Sequence, residues 1–249
     1  MEIDSLWKAR ASANPRLFDG PILAARSVDW DGARCTVRWS RASYAQYLWR
    51  YGPEEVVQCR FARALFVSVL AQTADGQVLL GRMAPDTSTP GRVQLPGGNV
   101  RPPDEGAPLT AHAVREHAVR ELAEETGVEL APSAASLWAV KDLGAFGDVG
   151  IMLRADVPAA GLAHQTFQRH LQGLAAAGQT PEFTCLLSVR RSDGPLRGQV
   201  AHPGLPLLEA LSPHVDYLPA VLHASLGVGP LTTSESSVVT RGWRPGVRG

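Results

Sequence analysis

The sequence has no long hydrophobic run. Its most apolar stretch, residues 64–71 of 249, falls far short of the roughly 20 residues needed to cross a bilayer as a helix. The first residues carry Glu2 and Asp4 with no apolar segment behind them, which argues against a secretory leader. Cysteine is scarce: Cys35, Cys59 and Cys185 are odd in number, far apart and without metal or redox spacing, so reduced thiols in a cytoplasmic protein are expected. An excess of either charge is also missing, with 24 basic against 24 acidic side chains. That balance gives no electrostatic case for nucleic acid or an anionic membrane. Lysine is nearly absent, at Lys8 and Lys141 only; the other basic residues are arginine, as a GC-rich genome would also produce. No internal repeat is visible, and nothing chooses between a monomer and a homodimer.

What is present begins with an apolar fraction of 45%, enough to bury a real core. Residues 2–13 predict a short helix with Ile3, Leu6 and Trp7 on one side, stopped by Asn14-Pro15. Asp31-Gly32 marks a hairpin between strands at 22–30 and 35–39, the second alternating Cys35, Val37 and Trp39 against Arg34, Thr36 and Arg38. Ser43 caps a helix containing Tyr44, Tyr47, Leu48 and Trp49. Strands follow at 64–71 and 78–82, joined through Ala74-Asp75-Gly76, and a short one at 93–95 enters Pro96-Gly97-Gly98. Further strands are expected at 137–143, 149–157 and 183–189. Helices are expected at 162–177 and from Ser212-Pro213 to Gly227, the latter striped by Val215, Leu218 and Leu222. From Gly229 the chain is rich in Ser, Thr, Gly and Arg and is expected to be disordered.

The chemistry concentrates before Gly127. On a helix, Glu121, Glu124 and Glu125 share one face with His117, while Ala118, Val119 and Leu122 point toward a core. Three carboxylates at the C-terminal end of a helix repel one another and oppose its dipole. A hard divalent cation relieves both, and oxygen ligands of this kind suit Mg²⁺ or Mn²⁺. Gly127 fits the left-handed position that ends such a helix.

Residues 120–128, Arg-Glu-Leu-Ala-Glu-Glu-Thr-Gly-Val, resemble the second half of the Nudix box, R-E-U-x-E-E-x-G-U with U apolar, and Leu95-Pro96-Gly97-Gly98 resembles its lead-in. The first half departs from the pattern. Counted back from Arg120, its Gly and Glu fall on Gly106 and His112; counted from Pro96-Gly97-Gly98, the Gly is Gly98 and eight residues are inserted before the helix. The second register uses the more informative landmark. It places Asp104 or Glu105 near the missing Glu, makes His112 a surface residue of the inserted loop, and leaves the role of loop 99–109 open.

The resemblance implies an α/β protein: a Nudix α/β/α sandwich with a mixed sheet between the box helix and a C-terminal helix. An N-terminal α+β extension at 1–60 would precede the Nudix hydrolase domain at 61–228 and a disordered tail at 229–249. It also implies a metal-dependent diphosphatase. Glu121, Glu124 and Glu125 with the Gly98 carbonyl would bind Mg²⁺ or Mn²⁺, and Arg120 would brace a Glu rather than touch substrate. The general base is either a box Glu or a distant acid, for which Glu182 is the candidate. His117, Arg82 and Arg101 are further candidates for metal or phosphate contact. Leu6-Trp7, Arg10, Asn14-Pro15, Leu17-Phe18-Asp19-Gly20-Pro21 and Ser43-Tyr44 resemble the N-terminal part of the UDP-glucose/UDP-galactose diphosphatase branch. That likeness implies cleavage of a nucleoside diphosphate sugar to a nucleoside monophosphate and a sugar 1-phosphate. Another nucleoside diphosphate derivative, such as ADP-ribose or a GDP-sugar, or a nucleotide sensor without turnover, are the alternatives.

Overall fold

The computed structural model describes residues 3–14, 17–31, 34–49, 63–141, 148–190, 222–225, 232–234 and 237–241. Helix α1 (Ile3–Ala13) precedes strands β1 (Pro21–Asp31) and β2 (Arg34–Ser43), which pair antiparallel as the Asp31-Gly32 signal predicts. The short helix α2 (Tyr44–Trp49) starts in a capping box. The Gln46 amide donates to Ser43 Oγ at 3.2 Å and the Ser43 amide to Gln46 Oε1 at 2.9 Å. Asp19 Oδ1 accepts the Ala45 amide at 2.7 Å and satisfies a further N-terminal donor of that helix. One residue of the Asp19-Gly20-Pro21 motif is therefore a helix cap. Asn14 is a tether, its amide donating to the Asp86 carbonyl at 2.6 Å across to the second part of the chain.

That second part runs β3 (Arg63–Thr73), β4 (Gln77–Met83), β5 (Val93–Gln94), α3 (Ala111–Thr126), β6 (Ala135–Lys141), β7 (Val149–Val157), α4 (Ala160–Ala176) and β8 (Phe183–Arg190). The sheet is mixed. β3 and β7 are parallel in unbroken register from Leu65↔Val149 to Thr73↔Val157, while β4 pairs antiparallel with β5 and β8, and β6 with β7. A strand covered on both faces reads as a continuous apolar run, which is why residues 64–71 of β3 carry so little polarity. Val114, Ala118, Val119 and Leu122 of α3 and Ala163 and Phe167 of α4 join Leu65, Val67, Val69 and Leu153 in one core. Each fully buried Leu, Val or Phe contributes about 1.5–3 kcal/mol of transfer free energy. A second, smaller cluster holds Leu70, Leu80, Leu95 and Met152.

The N-terminal part is continuous with this sheet. β1 pairs with β3 at Ala24↔Ala64, and the segment after Gly97-Gly98 is stitched between them. The Val67 amide donates to the Gly98 carbonyl, the Val100 amide to Leu65, and the Leu23 amide to Val100, each at 2.9 Å. The start of the stretch expected as an inserted loop is thus an extended bridge joining the two parts of the chain. Thr110 caps α3, its Oγ accepting the Ala113 amide, and His112 lies in the first turn of α3 rather than in a loop, exposed and 3.5 Å from Glu116.

Two expectations for the C-terminus need correction. Residues 222–225, expected to end a helix, form strand β9 (Leu222–Ser225) on the free edge of β6, with Val140 opposite Ala224. An open edge with unpaired amides is a template for a strand; residues 212–221 of the expected helix, and with them that layer of the sandwich, lie outside the described residues. The tail at 229–249, expected to be disordered, contains strands β10 (Thr232–Ser234) and β11 (Ser237–Arg241), β11 pairing antiparallel with β2. The β-branched run Val238-Val239-Thr240 suits that edge.

Candidate active site

Glu121 and Glu125 lie one turn apart on α3 and meet the Pro96-Gly97-Gly98 turn. The Gly97 amide donates to Glu125 Oε2 at 2.7 Å. Gly97 has φ +151°, and a Cβ there would run into the Val67 carbonyl. A Cβ at Gly98 would collide with the Glu121 carboxylate. The paired glycines therefore let the helix carry its acids to within contact of a backbone turn. Gly127 ends α3 in the left-handed conformation, φ 74°, its amide returning to Ala123.

The acid face is not a solvated face. Glu125 is 3% exposed, and its Oε1 has no hydrogen-bond partner among the described residues. Burial, then the nearby Glu182 charge, pushes its pKa well above the usual carboxylate range. Burial pushes Glu121 up to about 7, with Glu124 and Glu182 adding repulsion and Arg120 and Arg101 opposing it. Glu124 differs: its side chain is 56% exposed and lies 3.8 Å from the Arg120 guanidinium. The brace expected of Arg120 falls on Glu124 and on His117 Nδ1, which the guanidinium also contacts.

His117 is buried, with Nε2 2.8 Å from the Asn99 carbonyl. A carbonyl only accepts, so Nε2 carries the hydrogen and Nδ1 is left as the acceptor for Arg120. Burial and the Arg120 charge lower its pKa to about 4, which makes it neutral; its 3.4 Å approach to Glu121 is a polar contact and not an ion pair. Both ring nitrogens are thus engaged within the protein.

Glu121, Gly97 and Gly98 form part of the wall of a cavity of about 650 Å³, and Glu182 stands on the same wall. Glu182, 57 residues beyond Glu125 in sequence, is brought there by the approach to β8, its carbonyl held by the Ala84 amide at 2.8 Å. Arg101 lines the cavity, whereas Arg82 donates to the Gly91 carbonyl at 3.2 Å and does not. The N-terminal part supplies Leu17, Phe18, Tyr44 and Tyr47. Phe18 is 77% exposed, unusual for so large an apolar ring. Arg92, Lys141 and Asp148 also line the cavity and were missed from sequence. Arg92 and Gln94 had a signal: they alternate with Val93 and Leu95 just before the glycine turn.

The donor set fits a hard divalent cation. Glu121 and Glu125, with Glu182 acting at longer range, are oxygen ligands whose mutual repulsion a cation would cancel, and Glu125 Oε1 is a buried acceptor without a donor. The Gly98 carbonyl already accepts the Val67 amide and retains one lone pair. Among the described residues no group of three or more His, Cys, Asp and Glu side chains is gathered closely enough to enclose a metal, Glu124 lying on the outer side of α3.

Residues 62–184 match the NUDIX domain, the span that holds the box helix, the glycine turn and Glu182. That span has the α/β Nudix fold. Among solved structures, the chain is similar to the MutT protein from Methanosarcina mazei Go1, at 26% identity and a TM-score of 0.28 over 38% of this chain and 62% of that one. It is similar to the NUDIX domain of Shewanella oneidensis NrtR, complexed with ADP ribose, at 19% identity and 0.32 over 60% and 84%. It is also similar to a bifunctional NMN adenylyltransferase/ADP ribose pyrophosphatase from Francisella tularensis, complexed with AMP and a Mn ion, at 14% identity and 0.33 over 55% and 37%. The chain thus spans less than two thirds of the length of the Methanosarcina protein. Among curated proteins none matches. Among the described residues no helix is long and apolar enough to cross a membrane.

A metal-free carboxylate pair has a consequence for pH. Glu121, with its folded pKa raised from 4.5 to about 7, keeps its proton in the folded state where the unfolded chain has lost it, so its contribution to stability falls as pH rises from about 4.5 to 7. Glu125 acts in the same direction. His117, lowered from 6.5 to about 4, acts oppositely between those values and offsets one of the two. Above pH 6.5 only the carboxylates remain, and a bound cation removes their penalty. The rise in melting temperature on adding Mn²⁺ should therefore be small at pH 5.5 and several degrees larger at pH 8. A thermal melt series with and without the ion checks this; an equal rise at both values would separate the stabilisation from these carboxylates.

Proposed function

We propose that the chain is a metal-dependent hydrolase that cleaves the diphosphate of a nucleoside diphosphate derivative. A UDP-sugar is the favoured substrate, yielding UMP and the sugar 1-phosphate. The observation that carries this reading is the burial of Glu121 and Glu125 against the Gly97-Gly98 turn, beside a cavity that also holds Glu182. A diphosphate resists hydrolysis because its negative oxygens repel a nucleophile. When bound, Mg²⁺ or Mn²⁺ supplies charge neutralisation and a more acidic water. The chain's own residues do the rest. Glu121 and Glu125 would hold the ion, with Glu124 reaching it from the outer edge of the helix. Arg92 and Arg101 line the cavity, where they would meet phosphate oxygens. Glu182, on the same wall, would take a proton from water.

The UDP-sugar preference is supported by the N-terminal part, whose Phe18, Tyr44 and Tyr47 line the cavity. Metal and diphosphate contacts are common to every nucleotide substrate, so discrimination has to come from such added walls. The test is kcat/KM for UDP-glucose, ADP-ribose and GDP-mannose with the full-length protein and Mg²⁺. UDP-glucose should lead by at least about tenfold, roughly 1.4 kcal/mol. A lead for ADP-ribose or GDP-mannose would end the UDP-sugar assignment and keep the diphosphatase. Tight binding of one of them without turnover would identify a sensor.

A further inference from the structure

Lys141 is 1% exposed, yet it lines the cavity. A buried ammonium is costly unless the surroundings are built for it. Here they are built across three strands. Gly150 of β7 stands opposite Phe66 of β3 on one side and opposite Lys141 of β6 on the other. With no side chain between them, the Phe66 ring lies over Gly150, where a Cβ would come within 2.6 Å of Cζ, and Lys141 Nζ sits 5.3 Å from the ring centroid. Burial pushes the Lys141 pKa down to about 8, with the Asp148 carboxylate opposing the shift and Arg92 adding to it. Asp148 is itself buried, and it accepts the Ala64 amide at 3.2 Å and the Tyr47 hydroxyl at 3.3 Å. Tyr47 comes from the N-terminal part of the chain.

We propose that Lys141, Asp148 and Tyr47, with the Phe66 ring, form a subsite that selects the hydroxyl-bearing sugar attached to the diphosphate. The subsite rests on the nucleoside diphosphate sugar reading of the cavity and names the residues that would read the sugar. Three features of its chemistry point there. A fixed ammonium donor beside a carboxylate acceptor matches a sugar diol, in which each hydroxyl both donates and accepts. Asp148 offsets the Lys141 charge, so this corner holds a phosphate less well than the Glu121 side, where a bound cation would stand near Arg101. An aromatic ring in the same wall suits the C–H face of a sugar, while the exposed Phe18 ring remains for the nucleobase. Such a site gains selectivity because a ligand lacking the hydroxyls forfeits these contacts.

The experiment compares UDP-glucose with UDP by calorimetry, using full-length protein with Ca²⁺ in place of Mg²⁺ to slow turnover. Wild type should bind UDP-glucose about tenfold or more tighter than UDP. Tyr47→Phe and Asp148→Asn should bring the two affinities together by weakening UDP-glucose alone, and Lys141→Met should do the same if its melt shows a folded protein. Tyr47→Phe removes one oxygen and keeps the ring, so it tests the site even if the lysine variant does not fold. Variants that keep the wild-type difference, or that weaken UDP as much as UDP-glucose, overturn the subsite while leaving the diphosphatase reading intact. A wild type that neither distinguishes UDP-glucose from UDP nor hydrolyses any nucleoside diphosphate sugar overturns both.

Discussion

Glu125→Gln should lower Mg²⁺-dependent turnover by about two to three orders of magnitude, the scale on which removal of a fixed charge-stabilising group acts. The same change should leave the metal-free fold as stable as before, or slightly more so. The reason is local. Gln is as good a helix former as Glu, and its side-chain carbonyl can accept the Gly97 amide now bonded to Glu125 Oε2. What disappears is the ionised form of a group that burial and Glu182 already disfavour. A substitution that removes a structural carboxylate would cost stability and activity together. Here activity and the Mn²⁺-induced rise in melting temperature should fall, while the metal-free melting temperature holds. Near-full turnover in the variant would refute a role for Glu125 in holding the ion. A collapse of the metal-free melting temperature would recast Glu125 as a buried structural acid. Glu124→Gln is the informative neighbour. Its exposed side chain, paired with Arg120 at 3.8 Å, should give a smaller loss than Glu125.

The box helix was legible because its signal is local. Arg120 through Val128 fixes spacing, and a helix turns spacing into a shared face. Most strands were legible for the same reason, since β3, β4, β7 and β8 are short apolar runs bounded by turns. What local pattern could not say is how deep an acid lies. Glu121, Glu124 and Glu125 look alike in sequence, but α3 packs so that Glu125 is buried at the glycine turn, Glu121 is mostly covered beside it and Glu124 is left on the rim. Long-range geometry hid the rest. Glu182 could be named as a candidate, yet its approach to Glu121 and Glu125 depends on β8 pairing with β4. Lys141 had a clue in composition: in a chain that uses arginine almost everywhere, a lysine follows Ala139-Val140 at the end of a strand. A tail of low local hydrophobicity reads as disordered from composition, whereas the edge of β2 orders strand β11 there through backbone pairing.

Gly97→Ala should destabilise the protein by about 3 kcal/mol or more and abolish measurable turnover. Two costs combine. At φ +151° an alanine is held in a region that L residues rarely adopt, a strain on the order of 1–3 kcal/mol. Its Cβ would also strike the Val67 carbonyl and approach the Ser68 backbone, and neither yields as a flexible side chain would. The turn cannot move aside cheaply, because the Val69 amide holds the Pro96 carbonyl at 2.8 Å and the Val67 amide holds Gly98. Relief must come from shifting the turn off β3, which withdraws the Gly97 amide from Glu125 and opens the bridge through Val100 to Leu23. For a domain of this size the loss corresponds to a fall in melting temperature on the order of 10 °C. Gly98→Ala separates the two effects. Its Cβ meets the end of the Glu121 side chain rather than backbone, so the carboxylate can swing away. Stability should then fall by less than for Gly97→Ala, while turnover falls by at least about tenfold because Glu121 leaves its place. Thermal melts of both variants beside their Mg²⁺-dependent rates decide the matter. Equal melting temperatures for the two would show that the close approach of Gly97 to Val67 does not constrain the turn.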